Sequence, residues 1–97
     1  MKINVNIDSN IKIPNVFEPP IKIDFNNDEI TLRDVLLKLK NMYPYLRFIE
    51  KGEMGDDLRH LYLNGENHFN FSEGLNRKVA ENDTVRVEAY LDPLAGG

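Results

Sequence analysis

Leu32, Val35, Leu36, Leu39 and Tyr43 recur at helical spacing, and the rest of the chain has no second stripe of this kind. Thr31 stands at the N-cap position with Asp34 three residues on, the capping-box arrangement, and Pro44 ends the helix or follows its last turn. Arg33, Asp34, Lys38 and Lys40 face water in this reading, and Leu37 lies off the stripe as a partly exposed leucine. A single amphipathic helix has no helical neighbour to pack on. It must lay its stripe on one face of a sheet.

The apolar residues outside the helix supply that sheet. Ile3, Val5 and Ile7 alternate with Lys2, Asn4 and Asn6, and Ile21, Ile23 and Phe25 alternate with Lys22 and Asp24. The two segments are expected to form an antiparallel hairpin with a long irregular turn. Within that turn Asp8-Ser9-Asn10 is turn chemistry, Ile11 and Ile13 briefly continue the pairing, and Val16 and Phe17 fold back as a lid on the core. Asn26-Asn27-Asp28-Glu29 breaks the pattern before the helix. After it, Leu46, Phe48 and Ile49 read as anchors, and Lys51 to Asp57 as an exposed loop. Leu61 and Leu63 alternate with His60, Tyr62 and Asn64 as a third strand, closed by the Asn64-Gly65 turn. Phe69 and Phe71 give a short fourth strand or a packed turn, and Leu75 and Val79 are apolar points in a polar connection.

Glu81-Asn82-Asp83 turns the chain into a last strand, Thr84 to Leu91, with Val85, Val87 and Ala89 alternating against Arg86, Glu88 and Tyr90. Asp92-Pro93 ends it, because proline has no N–H for a ladder. The right-handed crossover rule places this strand beside the first, parallel to it, at the sheet centre. The expected fold is α+β, a β-grasp with a mixed four- to five-stranded sheet and one main helix. Residues 1–91 form the domain and residues 92–97 a flexible arm. The arm could reach about 20 Å, and its Gly96-Gly97 end is narrow enough to thread into another protein's active site. A frayed terminus is the plainer alternative.

Composition excludes several classes of function. A net charge of −4 argues against nucleic acid, which needs a basic footprint, and against an anionic membrane surface. There is no cysteine, hence no disulfide framework, no thiolate metal site and no cysteine nucleophile. No apolar run approaches the length of a membrane span, and the first residues lack the apolar block of a signal peptide, so the expected location is the cytoplasm. His60 and His68 lie on different elements and read as surface or turn histidines, so no metal site is expected. The acid pairs Asp28-Glu29 and Asp56-Asp57 read as loop-solvating groups. With the helix on one sheet face, strand parity puts Tyr62, Arg86 and Tyr90, with His60, on the other, as a candidate partner surface.

Asn64-Gly65-Glu66, Gly74-Leu75, Val79, Asp83-Thr84-Val85 and Pro93-Leu94-Ala95-Gly96-Gly97 fall in the order and spacing of ubiquitin-like sulfur-carrier proteins, which the chain therefore resembles. That family includes the small subunit of molybdopterin synthase, the thiamin sulfur carrier and the carrier of one route to cysteine. The helix from Thr31-Leu32-Arg33-Asp34-Val35 to Tyr43-Pro44 is similar to the family's helix, and the likeness is weakest in residues 8–20 and 45–57. Asn82 stands where the family commonly has glycine, and Asp92-Pro93 where the molybdopterin branch commonly has a Pro-Pro pair.

The resemblance implies a carrier or accessory subunit, such as the small subunit of a synthase, with no enzymatic activity of its own. Gly97 would be the reacting residue, adenylated by a ubiquitin-activating-like enzyme and converted to a thiocarboxylate for a sulfur-accepting synthase subunit. Pro93, Leu94, Ala95 and Gly96 would be recognised as the tail. No cofactor would be bound; ATP would be used by the activating partner. Cofactor synthesis of the molybdopterin type, or cysteine synthesis, is the favoured destination of the sulfur. Two alternatives stay open: a ubiquitin-like modifier joined to target lysines through Gly97, and a β-grasp interaction domain whose Gly-Gly end is accidental.

Overall fold

The computed structural model describes residues 1–9 and 20–90. The expected extension at Ile11 and Ile13, the lid at Val16 and Phe17, and the arm lie outside these residues. Thr31 caps the helix as its sequence demands. Its side chain accepts from the Asp34 N–H at 3.3 Å while the Asp34 carboxylate accepts from the Thr31 N–H at 2.8 Å. Helix α1 runs Leu32–Met42 and closes with the Tyr43 N–H donating to the Leu39 carbonyl at 2.8 Å. Leu32, Val35, Leu36 and Leu39 are fully buried, and Leu37 is exposed. Tyr43 falls just past the helix, half-buried against the core. Arg33 departs from the expectation of a water-facing residue: its Nε donates to the Gly52 carbonyl at 2.7 Å, and its guanidinium reaches Asn76 and Glu53. It ties the start of the helix to two later segments.

Among the described residues the main sheet has five strands in the order β2-β1-β9-β6-β7. They are β1 (Lys2–Ser9), β2 (Ile21–Asp24), β6 (Leu58–Leu63), β7 (Glu66–Asn67) and β9 (Thr84–Ala89). Strand β1 pairs antiparallel with β2 and parallel with β9, in the register Asn4 to Thr84 through Ser9 to Ala89. Strand β9 pairs antiparallel with β6 on its other side. The mixed sheet and central parallel pair are those of the expected β-grasp. Ile3, Val5, Ile7, Leu61, Leu63, Val85 and Val87 join the helix stripe in one core. None of the helices among the described residues is long and apolar enough to cross a membrane.

Two-residue strands carry the rest. Strand β3 (Ile30–Thr31) pairs with β8 (Lys78–Val79), which explains the isolated Val79, and β4 (Ile49–Glu50) pairs with β5 (Glu53–Met54). Such strands are too short to show alternation. The expected exposed loop at residues 51–57 is therefore a correction. Lys51 and Gly52, at φ 52° and 78°, make the tight turn of the β4–β5 hairpin, and Gly55 and Asp57 are buried. Asp57 does not solvate a loop. Its Oδ2 accepts from the Arg47 backbone N–H at 2.8 Å, and its Oδ1 pairs with the Arg47 guanidinium at 3.2 Å. Asp28, Glu29 and Asp56 are exposed as expected.

The segment with Phe69 and Phe71 is a packed turn, a single 3₁₀ turn over His68–Asn70, with Phe69 exposed and Phe71 half-buried. The Asn64-Gly65 turn has φ 51° and 87°, joining β6 to β7. Asn82 takes φ 67°, the left-handed conformation that asparagine tolerates, before β9. The last strand ends at Ala89 rather than Leu91, and Tyr90 follows it.

Gly55 lies under the backbone of the preceding segment: a Cβ there would stand 2.1 Å from the Arg47 carbonyl oxygen. Its N–H donates to the Phe48 carbonyl at 2.9 Å, so the approach is fixed. We expect Gly55→Ala to destabilise the fold by about 2–3 kcal/mol, read as a lowered urea midpoint, because backbone cannot step aside as a side chain can.

Candidate functional site

The expected reacting and recognised residues, Gly97 and Pro93 to Gly96, lie outside the described residues. Tyr90 is the last described residue before them. Tyr90 follows β9, and its N–H donates to the Asp57 carbonyl at 2.8 Å. The Asp57 side chain is itself held by Arg47. The buried acid therefore fixes where the chain leaves the sheet.

From that point a seam of side chains runs back along the open face, between β9 and β6. Alternation puts Arg86 and Glu88 on this face, opposite Tyr62 and His60 in the strand register. The Arg86 guanidinium lies 4.9 Å from the Tyr62 ring centroid. His60 Nδ1 meets the Glu88 carboxylate at 2.9 Å. At the exit end the Arg59 guanidinium lies 5.5 Å from the Tyr90 ring centroid. Arg86 of β9 thus lies over the tyrosine of β6, and Arg59 of β6 over the tyrosine that follows β9, with a histidine–carboxylate pair between them. Arg86 also reaches Asp8 on β1 at 3.0 Å, and Glu88 within its own strand.

These are exposed contacts, and each cation–π stack is worth about 0.5–1 kcal/mol, with exposed ion pairs no stronger. Their main effect is order: the side chains are fixed before anything binds, so a partner loses less entropy on docking. Burial pushes the Glu88 carboxyl up, but hydrogen bonds from His60 and Arg86, and the Arg86 charge, outweigh it and hold Glu88 below the usual carboxylate range. The hydrogen bond to Glu88 and the charge of Asp8 likewise raise Arg86, despite some desolvation.

The structure brings together Tyr62, Arg86 and His60, and places Tyr90 further along the same seam. Sequence reasoning missed Arg59. Strict alternation would turn it toward the core with Leu61, but a bulge between Leu58 and His60 inserts it as an extra residue, and it stacks on Tyr90. The signal was readable: Leu58 and Leu61 are both buried, and an odd spacing between two core residues of one strand requires such a bulge.

His68 corrects a second expectation. It is buried, at 5% exposure, and is no surface histidine. Its ring packs on Phe69 with centroids 4.1 Å apart, and its Nδ1 has no hydrogen-bond partner among the described residues. Among those residues no group of three or more histidines or acids stands close enough to hold a metal ion.

The architecture is that of a ubiquitin-like β-grasp. Two solved structures are similar to it. The HVO 2177 protein of Haloferax volcanii superposes with a TM-score of 0.65 at 20% identity, over 96% of this chain and 86% of that one. SAMP1 from Haloferax volcanii superposes with a TM-score of 0.61 at 20% identity, over the whole of both chains. At that identity the likeness is one of fold. No protein-family model and no curated protein sequence matches the chain.

Burial pushes the His68 pKa below its ordinary 6.5, offset in part by a hydrogen bond to the Leu61 backbone. The unfolded chain then binds a proton that the folded one refuses, so this residue's contribution to stability falls as pH drops below about 6.5. We expect the urea midpoint of the His68→Phe variant to fall less than that of the parent between about pH 7 and pH 5. Equal falls would contradict the assignment.

Proposed function

We propose that this chain is a carrier of the ubiquitin-like kind, activated at Gly97 by an ATP-dependent partner. The observation that carries the reading is the junction of fold and sequence. A β-grasp whose central strand β9 ends at Ala89, with Tyr90 held by the Asp57 carbonyl, is followed in the sequence, after Leu91-Asp92, by Pro93-Leu94-Ala95-Gly96-Gly97. The resemblance of that sequence to sulfur-carrier tails supports the same reading, with residues 92–97 as the arm and the remainder as the domain that partners recognise.

A carboxylate is a poor electrophile. Attack of the Gly97 carboxylate on the α-phosphate of ATP, at the partner's site, releases pyrophosphate and gives an acyl adenylate. Hydrosulfide, or a partner's persulfide followed by reduction, then displaces AMP and leaves a thiocarboxylate. The carrier supplies reach and recognition, and its partners supply the chemistry and the nucleotide. It needs no bound cofactor of its own. The thiocarboxylate would pass sulfur to a synthase subunit in molybdopterin-type cofactor or cysteine synthesis. The cysteine-free composition suits the reducing cytoplasm.

Passed to a lysine amine instead, the same acyl adenylate would give an isopeptide bond, and the fold and tail suit a protein modifier equally well. Conjugates on target proteins distinguish that outcome. In both cases the open-face seam of Tyr62, Arg86 and Tyr90 would be the partner surface, with aromatic and arginine anchors already ordered.

We expect deletion of Gly97 to abolish ATP–pyrophosphate exchange by the activating enzyme while the amide NMR spectrum of the domain stays unchanged. Tyr62→Ala and Tyr90→Ala should each raise KM about tenfold with kcat preserved. Normal exchange by the shortened chain would overturn the reading.

A further inference from the structure

Beside the seam lies a groove that the carrier reading does not use. It is an open cavity of about 680 Å³, within the range of binding clefts. Its apolar lining is Met54, Leu58, Phe69, Phe71 and Leu75. Arg59 lines it and also stacks on Tyr90, so the groove adjoins the end of the seam. Three properties define what fits. The apolar lining calls for an apolar side chain, and Phe69, at 70% exposure, turns most of its ring surface to water. The wall includes buried His68, whose Nδ1 has no hydrogen-bond partner among the described residues, a cost that a hydrogen-bond donor would relieve.

The charge at the rim sets the remaining requirement. Glu53 and Asp56 both line the groove with their carboxylates largely in water. Arg33 stands 3.8 Å from Glu53 and Arg47 3.7 Å from Asp56, but Arg47 is shared with Glu50 and Asp57, so three carboxylates face one guanidinium there, and Arg59 of the lining turns its own guanidinium to the Tyr90 ring. The chain as a whole is also acidic.

We propose that the groove docks a segment of the activating partner that carries an aromatic or aliphatic side chain flanked by lysine or arginine. The partner's identity rests on the carrier reading; the chemistry of the segment rests on the groove. Such a segment would hold the domain next to the tail's exit while the tail enters the active site.

The test uses the full chain, isotope-labelled, titrated with the synthetic peptide acetyl-Lys-Lys-Leu-Phe-Lys-Lys-amide and with its counterpart having glutamate for every lysine. The basic peptide should give saturable shifts at His68, Phe69 and Leu75, and the acidic one none. The double variant Glu53→Gln, Asp56→Asn should weaken the basic peptide about fivefold. Phe69→Ala, at an exposed position, should remove saturation and raise KM for adenylation without changing kcat. Equal response to both peptides, shifts that spare those three residues, indifference to the neutralised rim, or an unchanged KM would each overturn the proposal. If the peptide behaves as expected but no activating enzyme accepts the chain, the docking chemistry stands and the carrier reading falls.

Discussion

The parallel pairing of β1 with β9 holds the molecule together. It joins the first and last described strands across the whole sequence, and the flanking strands β2 and β6 depend on it for their places. Its register puts Val5 beside Val85 and Ile7 beside Val87 on the face that α1 covers, while Asn6 lies beside Arg86 and Asp8 beside Glu88 on the other. A slip of one residue would exchange the two faces, placing arginine under the helix and valine in water. The turn before β9 secures the register with its own bonds: Asn4 N–H donates to the Asp83 carbonyl, and Asn82 N–H to that of Lys2.

That register also builds the open face. Once β9 is fixed between β1 and β6, Arg86 has Asp8 on one side and Tyr62 on the other, and Glu88 has His60. Weak exposed contacts gain their usefulness from this frame. The seam ends where the Tyr90 N–H meets the Asp57 carbonyl. The Arg47–Asp57 pair, through the Asp57 carbonyl, holds the residue that follows β9.

What could be read from sequence was what repeats. The helix stripe, its Thr31 cap, the alternation in β1, β6 and β9, and the Asn64-Gly65 turn each follow a period or a local backbone rule, and the fold follows from their order. Contacts between distant residues were hidden. The pairing of Ile30 with Val79, the burial of Gly55 under Arg47 and of Asp57 beside it, and the inward turn of His68 depend on chain segments meeting only after folding. For the candidate site, parity was enough to group Tyr62, Arg86 and His60, and it failed at Arg59 where a bulge breaks parity.

The proposed function turns on the carboxyl group of Gly97 becoming an activated acyl group. Its most direct test is the intact mass of the full chain after incubation with the activating enzyme, ATP and hydrosulfide. The expected product is a species heavier by the exchange of one oxygen for sulfur, localised to the peptide that ends in Gly97. An unchanged mass under conditions in which the same enzyme consumes ATP with its own carrier would contradict it.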